Sequence, residues 1–170
     1  MKSIRDRRHR PPFGLTIVES MMALAVLSVA VLAVNYAVVA GQSHARQGDH
    51  AVRGIDLAQD LMEEIVALPY LDPDGPSTLG PEVAETTRSS FDNTDDFHGY
   101  TEVAGGATDF SGTIYGGDDQ VFGRNVTMAV STEYVTGLGT TIPGLTVTVA
   151  VTDPTGRSWA ITRFVPELMP

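Results

Sequence analysis

The stretch GLTIVESMMALAVLSVAVLAVNYAVVA, residues 14–40, decides how the rest of the chain is arranged. From Leu15 to Ala40 it contains a single charged side chain, Glu19. An apolar run longer than about 18 residues can cross a bilayer as a helix, which rises roughly 1.5 Å per residue. The sequence therefore predicts a membrane-spanning helix near the N-terminus, with one ionisable residue close to its start.

Glu19 is the residue of this run that needs an explanation. A carboxylate inside hydrocarbon costs several kcal/mol unless another group compensates its charge. Its presence four residues after the start of the run therefore indicates that the charge has a function.

Basic residues are concentrated ahead of the apolar run. Residues 1–14 contain five Lys and Arg side chains and one Asp, a net charge of +4, whereas the whole chain of 170 residues has −10. Cytoplasmic flanks of membrane helices are enriched in Lys and Arg, so we expect the N-terminus inside and the acidic remainder outside. Nucleic acid is not an expected partner, because phosphate binding needs clustered Lys and Arg.

The chain has no cysteine, which excludes disulfides and thiolate metal sites.

Three interpretations of the N-terminal segment compete. A secretory signal peptide cut after Ala40 has the right order of basic and apolar regions, but its apolar region usually runs about 7 to 15 residues. A plain signal anchor accounts for the length and the orientation, yet it leaves Glu19 unexplained. The third interpretation combines a basic leader ending in Gly14, the sequence Leu15-Thr16-Ile17-Val18-Glu19 and the apolar residues that follow.

This order resembles the class III signal of type IV prepilins and pseudopilins. The resemblance implies that a leader peptidase cuts after Gly14 and methylates the new amine of Leu15, where the family usually has phenylalanine. In a bundle of staggered subunits, Glu19 would meet the Leu15 amine of a neighbour and fix the register, since any offset leaves two unpaired charges in a low dielectric. The alternative partners of Glu19 are the amine of its own chain and the Thr16 hydroxyl.

A second pattern continues the helix beyond the apolar run. Apolar residues recur at spacings of three and four with acidic residues on the other face, which is amphipathic helical periodicity. The predicted stripe consists of Ala51, Ile55, Ala58, Met62 and Ile65. Gly41, Gly48 and Gly54 each weaken this helix by up to about 1 kcal/mol relative to alanine. Pro69 ends it.

Strand signals follow in the C-terminal half, in segments 121–135, 145–152 and 157–165. In the second segment Val147, Val149 and Val151 share one face and threonines occupy the other. Asp153-Pro154-Thr155-Gly156 is a hairpin turn signal between the last two strands.

These elements predict an α+β fold in which a long N-terminal helix packs on an antiparallel sheet of three or four strands, similar to the type IV pilins. The predicted organisation is a leader over 1–14, a transmembrane segment over 15–40, an amphipathic continuation over 41–68 and a β-rich head over 69–170.

The middle of the chain carries a further resemblance. The segment RSSFDNTDDFHGYTE, residues 88–102, with the strand FGRNVTMAV and the closing TVTVAVTDPTGRSWAITRFV, is similar to the head of minor pilins of the mannose-sensitive haemagglutinin type. This similarity implies a low-abundance structural subunit of a type IV pilus or a type II secretion pseudopilus. The implied partners are the prepilin peptidase and methyltransferase, other pilin or pseudopilin subunits and an inner-membrane assembly platform. The implied location is the bacterial inner membrane, single-pass with a cytoplasmic N-terminus and a periplasmic head, and then the pilus or pseudopilus.

Catalytic motifs are not found in the sequence, where four histidines are scattered and no nucleophile elbow occurs, so no enzyme activity is expected. Asp92, Asp95 and Asp96 form a candidate Ca²⁺ site, because hard oxygen ligands in one loop suit this ion. Their spacing departs from the EF-hand, since Phe97 stands where its glycine belongs, and a solvated acidic loop is the alternative. No other cofactor is expected.

A different function class also fits the sequence. The chain would then be a membrane-tethered periplasmic ligand-binding domain that never polymerises. Cleavage after Gly14 separates the two classes, because a tethered domain has no need of it.

Overall fold

The computed structural model describes residues 16–72, 78–137 and 139–167. The chain divides into two compact units, Met1–Arg46 and Gln47–Pro170, referred to below as the N-terminal and C-terminal units. Helix α1 (Ile17–Ala67, 51 residues) runs through both units. Its first part is the described helix of the N-terminal unit, and its last part is the first element of the C-terminal unit. The long helix predicted from the composition is confirmed.

The C-terminal end of α1 is satisfied by a loop that returns from further along the chain. Pro69 has no N–H and cannot continue the helix. The backbone N–H of Thr94 donates to the Pro69 carbonyl at 2.9 Å, and the Thr94 hydroxyl lies 3.3 Å from the carbonyl oxygen of Leu68. Since the last carbonyls of a helix lack partners within it, this contact both caps α1 and holds the loop in place.

The described part of the C-terminal unit contains a four-stranded antiparallel sheet in the order β1-β2-β3-β4. The strands are β1 (Thr101–Glu102), β2 (Gly123–Val135), β3 (Thr140–Thr152) and β4 (Ser158–Pro166). β2 and β3 pair along their whole length, and β4 pairs with β3 from Gly144 to Thr152. With α1 packed on this sheet, the α+β fold class predicted from the sequence is confirmed.

The predicted turn between β3 and β4 is also confirmed. The Asp153 N–H donates to the Arg157 carbonyl at 2.9 Å, and Gly156 has a φ of +82°, which glycine adopts without strain. The Asp153 carboxylate accepts the backbone N–H groups of Thr155 and Arg157 at 2.8 and 3.0 Å. The aspartate side chain therefore fixes the turn through its own hydrogen bonds.

The core lies between the sheet and the part of α1 that belongs to the C-terminal unit. Its buried members are Leu57, Ala58, Leu61, Met62, Ile65, Phe97, Phe122, Val126, Met128, Leu145, Val147, Val149 and Val151. The predicted alternation in β3 holds, because Val147, Val149 and Val151 are fully buried while Thr152 on the other face is exposed.

The buried stripe of α1 contains Ala58, Met62 and Ile65 of the predicted stripe, but the two differ at other positions. Ile55, assigned to the stripe by its spacing, is 42% exposed, whereas Leu57 and Leu61 are buried. The spacings of three and four from Ala51 select one of two overlapping faces that share Ala58, Met62 and Ile65. Only the position of the sheet decides between these faces, so the sequence periodicity was insufficient.

Gly54 is buried on this face, where Trp159 of β4 approaches the helix. A Cβ atom placed on Gly54 would lie 2.8 Å from Cε3 of the Trp159 ring, whereas one on Gly48 would meet nothing within 4 Å. Gly54 therefore has a packing role in addition to the helix weakening expected from its propensity.

Candidate functional site

The start of α1 brings together two polar residues of the sequence motif. Thr16 precedes the first helical residue, and its hydroxyl oxygen accepts the backbone N–H of Glu19 at 3.2 Å. The Thr16 carbonyl accepts the N–H of Ser20 at 3.0 Å. Thr16 is thus an N-cap, and the Thr-x-x-Glu spacing is that of a capping box.

The Glu19 side chain is exposed on the first turn of the helix. A carboxylate there interacts favourably with the positive end of the helix dipole. The Thr16 hydroxyl was one expected partner of the Glu19 side chain. In the described structure this hydroxyl contacts the backbone N–H of Glu19. Gly14 and Leu15, predicted for cleavage and N-methylation, lie outside the described residues.

The helix of the N-terminal unit presents an apolar surface without cover. Within α1, a window of 18 residues has a mean hydropathy of 2.4, and none of it is buried. By length and composition this helix can cross a membrane. Ser28, one of its few polar residues, is satisfied internally, because its hydroxyl donates to the Leu24 carbonyl at 2.8 Å.

A second polar region occupies the loop that caps α1, where the sequence places Asp92, Asp95 and Asp96. Asp96 is fully buried, and its Oδ2 accepts the backbone N–H groups of Asp92 and Asn93 at 2.9 and 3.0 Å. Asp95 instead accepts the N–H of Gly80 at 3.3 Å, and burial raises its pKa. The carboxylates of Asp95 and Asp96 therefore accept hydrogen bonds from different parts of the backbone.

A different set of carboxylates converges at this place. Oxygens of Glu82, Glu85 and Asp96 all lie within 4.8 Å of one another. The hydrogen bond with Glu82, together with burial, raises the pKa of Glu85 to about 7. The group contains Asp96 from the predicted set, whereas Glu82 and Glu85 were not predicted as ligands. Their separation from Asp96 along the chain hides the cluster, and no spacing motif marks it.

A buried ion-pair network lies on the sheet edge, and it was not predicted from the sequence either. Glu102 of β1 accepts Nη1 of Arg88 at 3.1 Å and Nε of Arg124 in a short contact. Its Oε1 also accepts the Tyr100 hydroxyl at 3.0 Å and the Thr108 N–H at 3.1 Å. Burial raises the pKa of Glu102, but the hydrogen bonds and charge of Arg124 outweigh this effect and lower it.

This network fastens several segments to α1. Arg88 pairs with Glu64 of the helix, and Arg124 donates to the Leu57 carbonyl at 3.3 Å and to the Thr108 carbonyl. Each donor is satisfied by carboxylate or backbone oxygen. The network therefore suits a structural role in holding the loops against the helix.

The described residues define an α+β protein with an uncovered apolar helix in one unit and an acidic, sheet-containing second unit. No protein-family model, curated protein or solved structure matches this chain.

Proposed function

We propose that this chain is a minor structural subunit of a type IV pilus or a type II secretion pseudopilus. In this proposal the leader is removed after Gly14, the Leu15 amine is methylated, and the subunit assembles through its N-terminal helix. Before assembly the chain crosses the inner membrane once, with the cytoplasmic N-terminus and periplasmic head expected from the charge distribution.

The observation that carries the proposal is the helix of the N-terminal unit. It is long, apolar and uncovered, and its one acidic residue, Glu19, stands in the first turn. A plain anchor needs the length and the apolar character, and a carboxylate at that place makes its insertion into hydrocarbon more costly. Packing among copies of the same helix would cover the apolar surface and give the carboxylate a cationic partner.

The capping geometry offers a competing role for Glu19, and the two roles predict different results for one substitution. Glutamine can replace glutamate in a capping box, because its side-chain oxygen still accepts the N-cap N–H. It cannot compensate a positively charged amine. Glu19→Gln therefore separates helix capping from charge pairing.

The test compares Glu19→Gln and Glu19→Ala with the wild type in the native host. We expect intact masses that begin at Leu15 with one added methyl group for the wild type, and leader removal in both variants. Both variants should be retained in the membrane and missing from sheared fibres, because an unpaired amine in the apolar bundle costs about 3 to 5 kcal/mol.

Ser28→Ala is the matched control, since it removes a polar group from the same apolar helix without touching the first turn. It should be processed and assembled normally. Incorporation of Glu19→Gln at the wild-type level would contradict charge pairing and leave capping as the role of Glu19. A wild-type chain that is never cut after Gly14 would overturn the proposed function and favour the tethered, non-polymerising domain.

A further inference from the structure

The carboxylates of Glu82, Glu85 and Asp96 are placed together by the fold of the loop between α1 and β1. Asp96 belongs to a short 3-10 helix, Asp95–Phe97, in the loop that caps α1. Glu82 and Glu85 lie on a turn in which the N–H of Glu85 donates to the Glu82 carbonyl at 2.9 Å. Two separate pieces of chain thus bring their negative groups to one place.

Asp96 is the member that the protein leaves incompletely satisfied. Its side chain is fully buried, and the backbone N–H groups of Asp92 and Asn93 occupy only Oδ2. No hydrogen bond from residues 16–72, 78–137 or 139–167 reaches Oδ1. A buried carboxylate oxygen without a partner is costly, so this atom indicates a missing positive group or donor.

Nearby basic side chains do not supply that group. Arg88 is the one arginine or lysine between residues 78 and 100. Its guanidinium is engaged by Glu64, Glu102 and Thr108. Asp95 adds further negative charge beside the cluster, where burial and then the charge of Asp96 raise the pKa of Asp95.

The distances fit a hard cation. Calcium binds carboxylate oxygens at about 2.4 Å, so two ligand atoms on opposite sides of the ion lie about 4.8 Å apart. One carboxylate oxygen from each of the three residues lies within 4.8 Å of the oxygens from the other two. Calcium also accepts irregular sets of carboxylates, backbone carbonyls and water, whereas Mg²⁺ demands a near-octahedral set at about 2.1 Å.

We propose that Glu82, Glu85 and Asp96 bind one Ca²⁺ ion, which fastens the turn at 82–85 to the loop that caps α1. The ion completes the coordination of the buried Asp96 carboxylate and neutralises the two glutamates beside it. This site is independent of the proposed function, because it lies within the C-terminal unit and needs no assembly.

The test uses the full chain in detergent after removal of calcium by a chelator. Isothermal titration calorimetry with CaCl₂ should give one site per chain, and MgCl₂ should bind at least roughly tenfold more weakly. Calcium should raise the Tm followed by the fluorescence of Trp159, since an ion bound only to the folded state stabilises it. Glu85→Gln and Glu82→Gln should each weaken calcium binding by roughly tenfold or more, because affinity follows the charge of the ligands.

Glu133→Gln is the matched control, since it makes the same change at an exposed position of β2 outside the cluster. It should bind calcium as the wild type does. Far-UV circular dichroism without calcium verifies that each variant is folded.

Two results would overturn the proposal. One is unchanged calcium binding in both cluster variants, which would place the ion elsewhere. The other is a wild-type chain that gives no binding heat and no rise in Tm at millimolar calcium. In that case Glu82 and Glu85 share a proton instead, and Glu85→Gln would raise the Tm in the absence of any ion.

Discussion

Arg124 is 1% exposed and carries its charge into the interior of the C-terminal unit. The Glu102 carboxylate, the Leu57 carbonyl and the Thr108 carbonyl receive its donors. Replacing a buried ion pair by apolar residues is often neutral, but removing one member leaves an uncompensated charge. Arg88, Arg124 and Glu102 therefore add little net stability as a set, but removing one of them leaves the others with uncompensated charge.

We expect Glu102→Gln to lower the free energy of unfolding by about 3 to 5 kcal/mol, because Arg124 then keeps a buried charge without a counter-charge. Urea denaturation of the full chain in mild detergent, followed by Trp159 fluorescence, measures this change. The pKa of Glu102 is lowered in the folded state, so its contribution is present above the unfolded pKa of about 4.3 and is lost as the pH falls through the folded pKa. The difference between wild type and variant should therefore shrink below about pH 4.

Glu133→Gln serves as the control for this change too, since an exposed substitution on the sheet usually stays within about 0.5 kcal/mol. Arg124→Met combined with Glu102→Gln should cost less than the sum of the two single changes, because the two side chains are coupled. A Glu102→Gln variant as stable as the control at neutral pH would mean that Arg124 tolerates burial without this carboxylate.

At the scale of elements, α1 and β3 could be predicted because each carries a long pattern of one period. The helix has an apolar run followed by spacings of three and four, and β3 alternates valine with threonine. β1 has only two residues, Thr101 and Glu102, which is too short for any pattern. Its existence depends on pairing with Asn125 and Arg124 of β2, a long-range contact that local sequence does not encode.

The phase of the buried helix face shows the limit of periodicity most directly. Leu57 and Leu61 are buried and Ile55 is partly exposed, although all three are equally apolar. Gly54 lies on the buried face with these leucines, and the Trp159 ring packs closely against it. The buried face of α1 thus depends on packing contacts between residues far apart in the chain, which the spacing of apolar residues does not reveal.

We expect Gly54→Ala to destabilise the C-terminal unit by about 1 to 2 kcal/mol. The new methyl group would lie 2.8 Å from the Trp159 ring, and overpacking of this kind costs about 1 to 3 kcal/mol, which exceeds the gain of up to about 1 kcal/mol in helix propensity. Thermal unfolding followed by circular dichroism measures the net effect.

Gly48→Ala is the matched control in the same helix, since a Cβ there meets nothing within 4 Å. It should be neutral or stabilise the protein by up to about 1 kcal/mol through helix propensity. If both variants gained stability equally, Trp159 would have to move at no cost, and Gly54 would have no packing role.

At the scale of the whole molecule, the two candidate sites differ in how far the sequence revealed them. Glu19 could be found because a lone charge in an apolar run contradicts its surroundings. The cluster of Glu82, Glu85 and Asp96 could be found only in part, because acidic residues are abundant in this chain and most are solvated. Asp96 is buried, as few of the acidic residues are, and burial in a loop follows from tertiary structure alone.

The two units also differ in composition, which leads to a prediction about the isolated C-terminal unit. Residues 47–170 contain 19 acidic residues and five arginines, a net charge of −14, and include every member of the buried core cluster. Its core side chains come from the part of α1 after residue 56 and from the loops and sheet. The uncovered apolar run lies in the part of α1 that precedes residue 47. A fragment that begins at Gln47 therefore keeps its core and loses the apolar surface.

We expect this fragment to be a soluble monomer without detergent, with a sheet and helix content matching the structure, because a strongly negative surface opposes association. Sedimentation velocity should give one small species, and circular dichroism should give a cooperative thermal transition. The full chain should need detergent to remain dispersed, since its apolar window is exposed to water otherwise. A fragment that aggregates or unfolds without residues 1–46 would contradict the division into two units, and it would mean that the N-terminal part of α1 is required for the sheet to form its core.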